Sequence, residues 1–155
     1  LIDAFHRIPA PHELKLYGPI THEMRSALSE RISNPRISIM GELSGDRKAD
    51  AFSAIDVLVL PSRCHENCPL VILEAFAAKI PVIVADAGGM AELVEEGQTG
   101  LTFPPGDSAA LAQCMLRFVA EPRLKDRMAA AIPPQKTMTE HAGEMVALYR
   151  ALGAS

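Results

Sequence analysis

Short apolar runs alternate with helix-period segments along almost the whole chain. Glu13 to Gly18, ELKLYG, reads as a strand closed by Gly18 and Pro19, and Thr21 is placed to cap a helix running to about Ile32, with Met24, Leu28 and Ile32 along one face. Arg36 to Leu43, RISIMGEL, predicts a second strand, and Asp46 to Ala54 a short helix. Asp56 to Leu60, DVLVL, is an apolar run stopped by Pro61 and Ser62, and Pro81 to Ala85, PVIVA, is another. Unalternated runs of this kind belong to strands covered on both faces, as in parallel sheets. Thr99 to Phe103 predicts a last short strand, and Ala109 to Val119, Leu124 to Ala131 and Thr137 to Leu152 predict closing helices. The alternation predicts an α/β fold with a doubly wound parallel sheet. IPPQK, residues 132–136, is the one linker-like stretch, dividing a Rossmann-like domain over 1–134 from a carboxyl-terminal helix over 135–155.

Composition narrows the function. With 155 residues, 48% hydrophobic and 22% charged, the chain is long enough to bury about two-thirds of its unfolded surface in one domain. A net charge of −4 and 5% aromatics give neither the basic footprint nor the stacking platform of a nucleic-acid binder. Three irregularly spaced cysteines fit a reducing compartment better than a disulfide framework. No run reaches membrane-spanning length and LIDAFHRIPAP lacks the features of a signal peptide, so a cytoplasmic location is expected.

Glu66 and Glu74, with seven residues between them, carry the strongest chemical signal. From Leu70 to Ala78 every residue except Glu74 is apolar, which predicts a helix buried on all sides and a carboxylate that needs a partner. Open α/β sheets bind ligands at the carboxyl ends of their strands, where loops lead into helix starts with free N–H groups. Three loops qualify. PSRCHENCP follows DVLVL, with Pro69 suited to the first turn of the next helix. DAGGM, residues 86–90, follows PVIVA, and Gly88 and Gly89 let its backbone approach a ligand. Glu42 to Asp46 follows RISIMG. All three are expected to converge on one crevice.

The elements IDVLVLPS, ENCPLVILEAFA and PVIVADAGGMAELVEEGQTGLTFPPGD, in this order and spacing, resemble the nucleotide-binding half of the group 1 glycosyltransferases, retaining enzymes of the GT-B fold that transfer sugar from a nucleotide-sugar donor. The resemblance implies that Glu74 accepts hydrogen bonds from the donor ribose and that Glu66 lies beside the donor sugar as the catalytic acid, without being a nucleophile. It places the N–H groups of Asn67, Cys68, Leu70 and Val71 toward the sugar and diphosphate, Gly88 and Gly89 close to the donor, and Gly41, Glu42 and Leu43 near the base. It implies no metal and no cofactor, with the nucleotide sugar as substrate. It further implies a sugar or glycolipid acceptor held by an amino-terminal domain, and allows peripheral membrane association of the full enzyme.

Departures from the family pattern carry expectations of their own. The family's diphosphate-binding Arg and Lys, which follow a first strand, have no counterpart here, nor does the acceptor domain. Because that strand is central in the family's sheet, LKLYG and DVLVL are expected to face a gap. Lys79 stands where the family has Gly, which predicts a left-handed backbone or a shifted cap. A stand-alone nucleotide-binding or interaction module without activity and a nucleotide-sugar epimerase of the same fold are the alternative readings.

Other residues have plainer readings. Glu74 alone could pair with a buried Arg, and Glu66 could be solvated. RCHENC invites a zinc reading through Cys64, His65 and Cys68, but a second ligand cluster is lacking. Cys114 is read as core, and Glu92, Glu95 and Glu96 as a solvated acidic helix with Glu92 near the glycine loop. His6, His12, His22 and His141 share no spacing.

Overall fold

A computed structural model describes residues 1–153 apart from 20, 30, 31, 33, 44, 46 and 65. In chain order the elements are α1 (Ile2–Phe5), β1 (Leu14–Tyr17), α2 (His22–Ser29), β2 (Ile37–Gly41), α3 (Arg47–Ser53), β3 (Leu58–Leu60), α4 (Leu70–Ala77), β4 (Val82–Ala85), α5 (Gly89–Glu92), β5 (Gly100–Phe103), α6 (Ser108–Ala120), α7 (Leu124–Ala131) and α8 (Met138–Ala151). The strands and helices expected from periodicity form close to the expected places. Thr21 caps α2 by accepting from Met24 N–H at 3.2 Å, and beyond Ser29, where residues 30 and 31 lie outside the described ones, Ile32 N–H donates to the Leu28 carbonyl at 2.8 Å. Asp46, the expected start of α3, lies outside the described residues.

All strand pairings are parallel, in two groups among the described residues. One sheet is β1–β2, with Leu14 opposite Ile37 and Leu16 opposite Ile39. The other has the order β3–β4–β5, with Leu58 opposite Val82 and Val82 opposite Gly100. The core sits on β4: Val82, Ile83, Val84 and Ala85 are all buried, against Ile72, Ala75 and Phe76 of α4 and Leu111 and Ala112 of α6. Asp107 starts α6 by accepting from Ala109 and Ala110 N–H, both at 2.9 Å.

The expected gap is present. Among the described residues β1 pairs with β2 and β3 with β4, and between β1 and β3 lies a cavity of about 770 Å³ lined by Leu14, Leu16, Leu58, Val59 and Ile83. Leu58, Val59 and Leu60 are only partly buried, because β3 pairs with β4 on one edge and borders the slot on the other. Lys15 reaches from β1 to donate to the Ala54 carbonyl, just ahead of β3, at 3.1 Å. Arg36 ties α1 to the first sheet: its guanidinium donates to the carbonyls of Ile8, Pro9 and His12 and lies 5.1 Å from the centre of the Phe5 ring.

Two helices differ from expectation. α4 is not buried on all sides: Leu70 is 68% exposed and Ala77 is open, because only the face carrying Ile72, Ala75 and Phe76 rests on the sheet. Its end obeys the left-handed alternative, with Lys79 at φ 58°, a conformation that costs a non-glycine residue about 1 kcal/mol or more. Three hydrogen bonds hold it: Lys79 N–H to the Phe76 carbonyl at 2.9 Å, Ile80 N–H to the Ala75 carbonyl at 2.8 Å, and Lys79 Nζ to the Ile132 carbonyl at 2.6 Å. In α8 a capping box joins Thr137 and Glu140, but the helix buries no residue, and Met138, Val146, Leu148, Tyr149 and Leu152 are exposed. No helix among the described residues is long and apolar enough to cross a membrane.

Candidate functional site

The loops after β3 and β4 are joined backbone to backbone. Gly89 N–H donates to the Glu66 carbonyl at 2.9 Å, and the contact is so close that a Cβ on Gly89 would lie 1.8 Å from the Asn67 carbonyl oxygen. Only glycine fits there. Gly88 ahead of it has φ 53° and ψ −142°, outside the regions open to side-chain-bearing residues. The glycine pair that sequence reading assigned to close approach of a ligand thus meets the PSRCHENCP loop directly.

That surface includes the start of α4. Pro69 is its N-cap and supplies no side-chain cap, and among the described residues the N–H groups of Asn67, Cys68, Leu70 and Val71 have no hydrogen-bond acceptor. Ile72 N–H turns back to the Pro69 carbonyl at 3.0 Å. Free N–H groups at the positive end of an eight-residue helix favour an anion. The Glu66 and Cys68 side chains are exposed, and His65 lies outside the described residues.

Glu74, in the second turn of α4, has the partner its position demanded, and it is a lysine the sequence reading passed over. Lys48 Nζ on α3 donates to Glu74 Oε1 at 2.6 Å, with the side chains 41% and 34% exposed respectively. The neighbouring Arg47 donates to the Glu42 carbonyl at 2.6 Å. Two consecutive residues therefore link α4 to the loop after β2, where Gly41 has φ 80° and its carbonyl accepts from Gly18 N–H at 3.0 Å. All three expected loops are tied into one network, although Ser44 and Asp46 of the third lie outside the described residues. No spacing rule singled out Arg47 or Lys48, since a cation in the first turn of an exposed helix reads as solvated.

Other expectations divide. Glu92, Glu95 and Glu96 are exposed, as a solvated acidic face requires, and the Glu96 carboxylate also accepts from Thr102 N–H at 2.7 Å and Thr102 Oγ1 at 3.1 Å. Glu95 lies beyond α5, and its N–H donates to Thr99 Oγ1 at 3.0 Å, so the acidic run closes onto β5 rather than continuing the helix. Cys114 is half-buried against the core, its thiol 3.5 Å from the Thr102 carbonyl. Burial, and secondarily the Glu96 charge, raises its pKa, which keeps it a poor nucleophile. Among the described residues no three His, Cys, Asp or Glu side chains are grouped to hold a metal ion.

Comparison with known proteins gives this architecture a family. The sequence model of the glycosyl transferases group 1 family matches residues 1–121. Alpha-D-kanosaminyltransferase of Streptomyces kanamyceticus is 31% identical over 140 residues, which are 88% of this chain and 36% of that protein. D-inositol 3-phosphate glycosyltransferase of Streptomyces avermitilis is 41% identical over 86 residues, covering 56% of this chain and 18% of that protein. Among solved structures, sucrose-phosphate synthase of Thermosynechococcus elongatus superposes with a TM-score of 0.81 at 29% identity, over 99% of this chain and 41% of its own. Anabaena HepE in complex with UDP-glucose superposes with a TM-score of 0.84 at 24% identity, over 97% of this chain and 44% of its own. The chain thus spans well under half of each of these proteins.

Proposed function

Because the chain belongs to the group 1 glycosyl transferases and has the fold of one half of a GT-B enzyme, we propose that it is the donor-binding domain of a retaining glycosyltransferase acting on a nucleoside-diphosphate sugar. The observation that carries this reading is the junction of Glu66 and Asn67 with Gly89 at the uncapped start of α4, with Glu74 one turn further along the same helix. In this reading the diphosphate and sugar lie against the N–H groups of Asn67, Cys68, Leu70 and Val71. Gly88 and Gly89 form the facing wall. Glu74 accepts from the ribose hydroxyls, and Gly41, Glu42 and Leu43 border the base.

Cleavage of a sugar–diphosphate bond develops positive charge on the sugar ring and negative charge on the departing diphosphate. Fixed N–H dipoles favour the second, and a carboxylate beside the ring favours the first. Glu66 is the acid placed for that role, as an orienting and electrostatic group rather than a nucleophile. Retention of configuration then comes from attack on the face the diphosphate leaves.

The chain alone holds only part of this machinery. It spans 36% of alpha-D-kanosaminyltransferase. We therefore read the isolated domain as binding donor without transferring sugar, the acceptor being a sugar or glycolipid held by the rest of a two-domain enzyme. Calorimetry with UDP, GDP and ADP, on wild type and Glu74→Gln, tests the donor reading. The glutamine keeps the shape but removes a charge-assisted acceptor, an expected loss of about 1–3 kcal/mol. Equal affinity of the two proteins takes Glu74 out of the site.

A further inference from the structure

We propose that Lys48 is a positioning residue for the donor ribose: it fixes the Glu74 carboxylate relative to the loop after β2 before any nucleotide arrives. The proposal rests on the donor-site reading given above.

The geometry offers Lys48 a single task. Its backbone is held by a bond from its N–H to the Gly45 carbonyl at 3.1 Å, and one turn further along α3 Ala51 and Phe52 are buried. From this anchored base its ammonium meets Glu74 Oε1 at 2.6 Å, and no other hydrogen bond to the Glu74 carboxylate is formed among the described residues. A carboxylate accepts about four hydrogen bonds. One goes to lysine, so Oε2 and the remaining side of Oε1 stay open for two ribose hydroxyls. Lys48 is thus compatible with bound ribose, and a lysine that competed with it would have to be displaced.

What the ion pair supplies is order. Unpaired, a glutamate on a partly exposed helix face samples several rotamers, and a ligand that needs one of them loses affinity to the others. Arg47, the preceding residue, donates to the Glu42 carbonyl at 2.6 Å, so the same turn of α3 holds the base-side loop and the ribose-side acid at a fixed separation. Partly exposed pairs of this kind contribute little to folding, and the lysine stem can be replaced by another apolar stem. The fold does not require Lys48, which makes a role in binding separable from one in stability.

Lys48→Met, Lys48→Arg, Glu74→Gln and the Lys48→Met/Glu74→Gln double variant separate these roles by calorimetry. The ligands are the tightest binder among UDP, GDP and ADP and its 2′,3′-dideoxy analogue. Lys48→Met is expected to weaken the ribonucleotide by about 3–10-fold, the range of one frozen side chain, with the melting temperature unchanged. The dideoxy analogue should bind wild type and Lys48→Met alike, the effect should vanish in the Glu74→Gln background, and Lys48→Arg should recover most of the loss. Binding of the ribonucleotide by Lys48→Met as tight as or tighter than wild type overturns the proposal, as does an equal loss for the dideoxy analogue. If wild type and Glu74→Gln already bind equally, it is the donor-site reading that has failed, and this inference falls with it.

Discussion

Replacing Gly89 with alanine tests whether the junction of the two loops is what shapes the site. A methyl group there would stand 1.8 Å from the Asn67 carbonyl oxygen, 2.5 Å from its carbon and 2.9 Å from the Glu66 oxygen, all of them backbone atoms that cannot swing aside. Ordinary contact begins near 3.4 Å, so the loops must part by about 1.5 Å. The Gly89-to-Glu66 hydrogen bond of 2.9 Å does not survive that movement, a loss of about 0.5–1.5 kcal/mol. Overpacking a tight contact adds about 1–3 kcal/mol. The expected destabilisation is about 2–4 kcal/mol, or about 4–16 °C in melting temperature for a domain of this size. A displacement of this order at a positioned site costs about a hundredfold in rate or affinity, so nucleotide binding should be lost even at temperatures where the protein is folded. Gly97→Ala is the control: its φ is 77° but nothing lies within 4 Å of the added methyl, so only backbone strain of about 1 kcal/mol applies and binding should persist. Thermal melts and calorimetry on both variants decide the matter. A Gly89→Ala protein that melts and binds as wild type does would refute the steric argument.

Two further predictions concern α8 and the slot. Hydrogen bonds from Thr137 N–H and hydroxyl lower the pKa of Glu140, so the capping box stabilises α8 above the ordinary glutamate range and is lost as pH falls through the lowered value. Amide exchange at the start of α8 should therefore quicken in acid, and Glu140→Gln should remove that pH dependence. Extending the chain upstream of Leu1 with a strand-forming segment should raise the melting temperature if the slot between β1 and β3 accepts a parallel strand, since the edges there each gain hydrogen bonds of about 0.5–1.5 kcal/mol; an unchanged melt for every extension would show the slot is not built for one.

The fold was legible where period and burial agree. VIVA is apolar without interruption because β4 lies between two strands and under helices, and every residue of it is buried. LVL looks the same in sequence yet is only partly buried, because β3 has β4 on one edge and the slot on the other, a difference that an apolar run does not record. The helix after it misled for a similar reason: apolar residues on the outer face of α4 suggested full burial, whereas Leu70 is exposed at the helix start beside the free N–H groups. Glycine spacing located the loop junction, since Gly89 answers a steric demand that sequence chemistry can express. Lys48 was invisible, because its ion pair joins α3 to α4 across 26 residues of sequence, and nothing local in DRKAD encodes which carboxylate its side chain will meet.

The slot in the sheet and the crevice above it are one geometric problem. Tyr17, Leu43, Leu60, Pro61 and Val71 line the slot, and each stands at or beyond the carboxyl end of a strand or at the start of α4, near the loops that follow β2, β3 and β4. A parallel strand filling the slot would end among those loops, because in such sheets the segment leaving each strand emerges on the same side. The loop leaving that strand would run toward Leu1, which itself lines the slot. Among the described residues the open edges of β1 and β3 thus border the same space as Val71 at the start of α4. A parallel strand placed in that slot would end beside the start of α4, where the free N–H groups of Leu70 and Val71 already favour an anion.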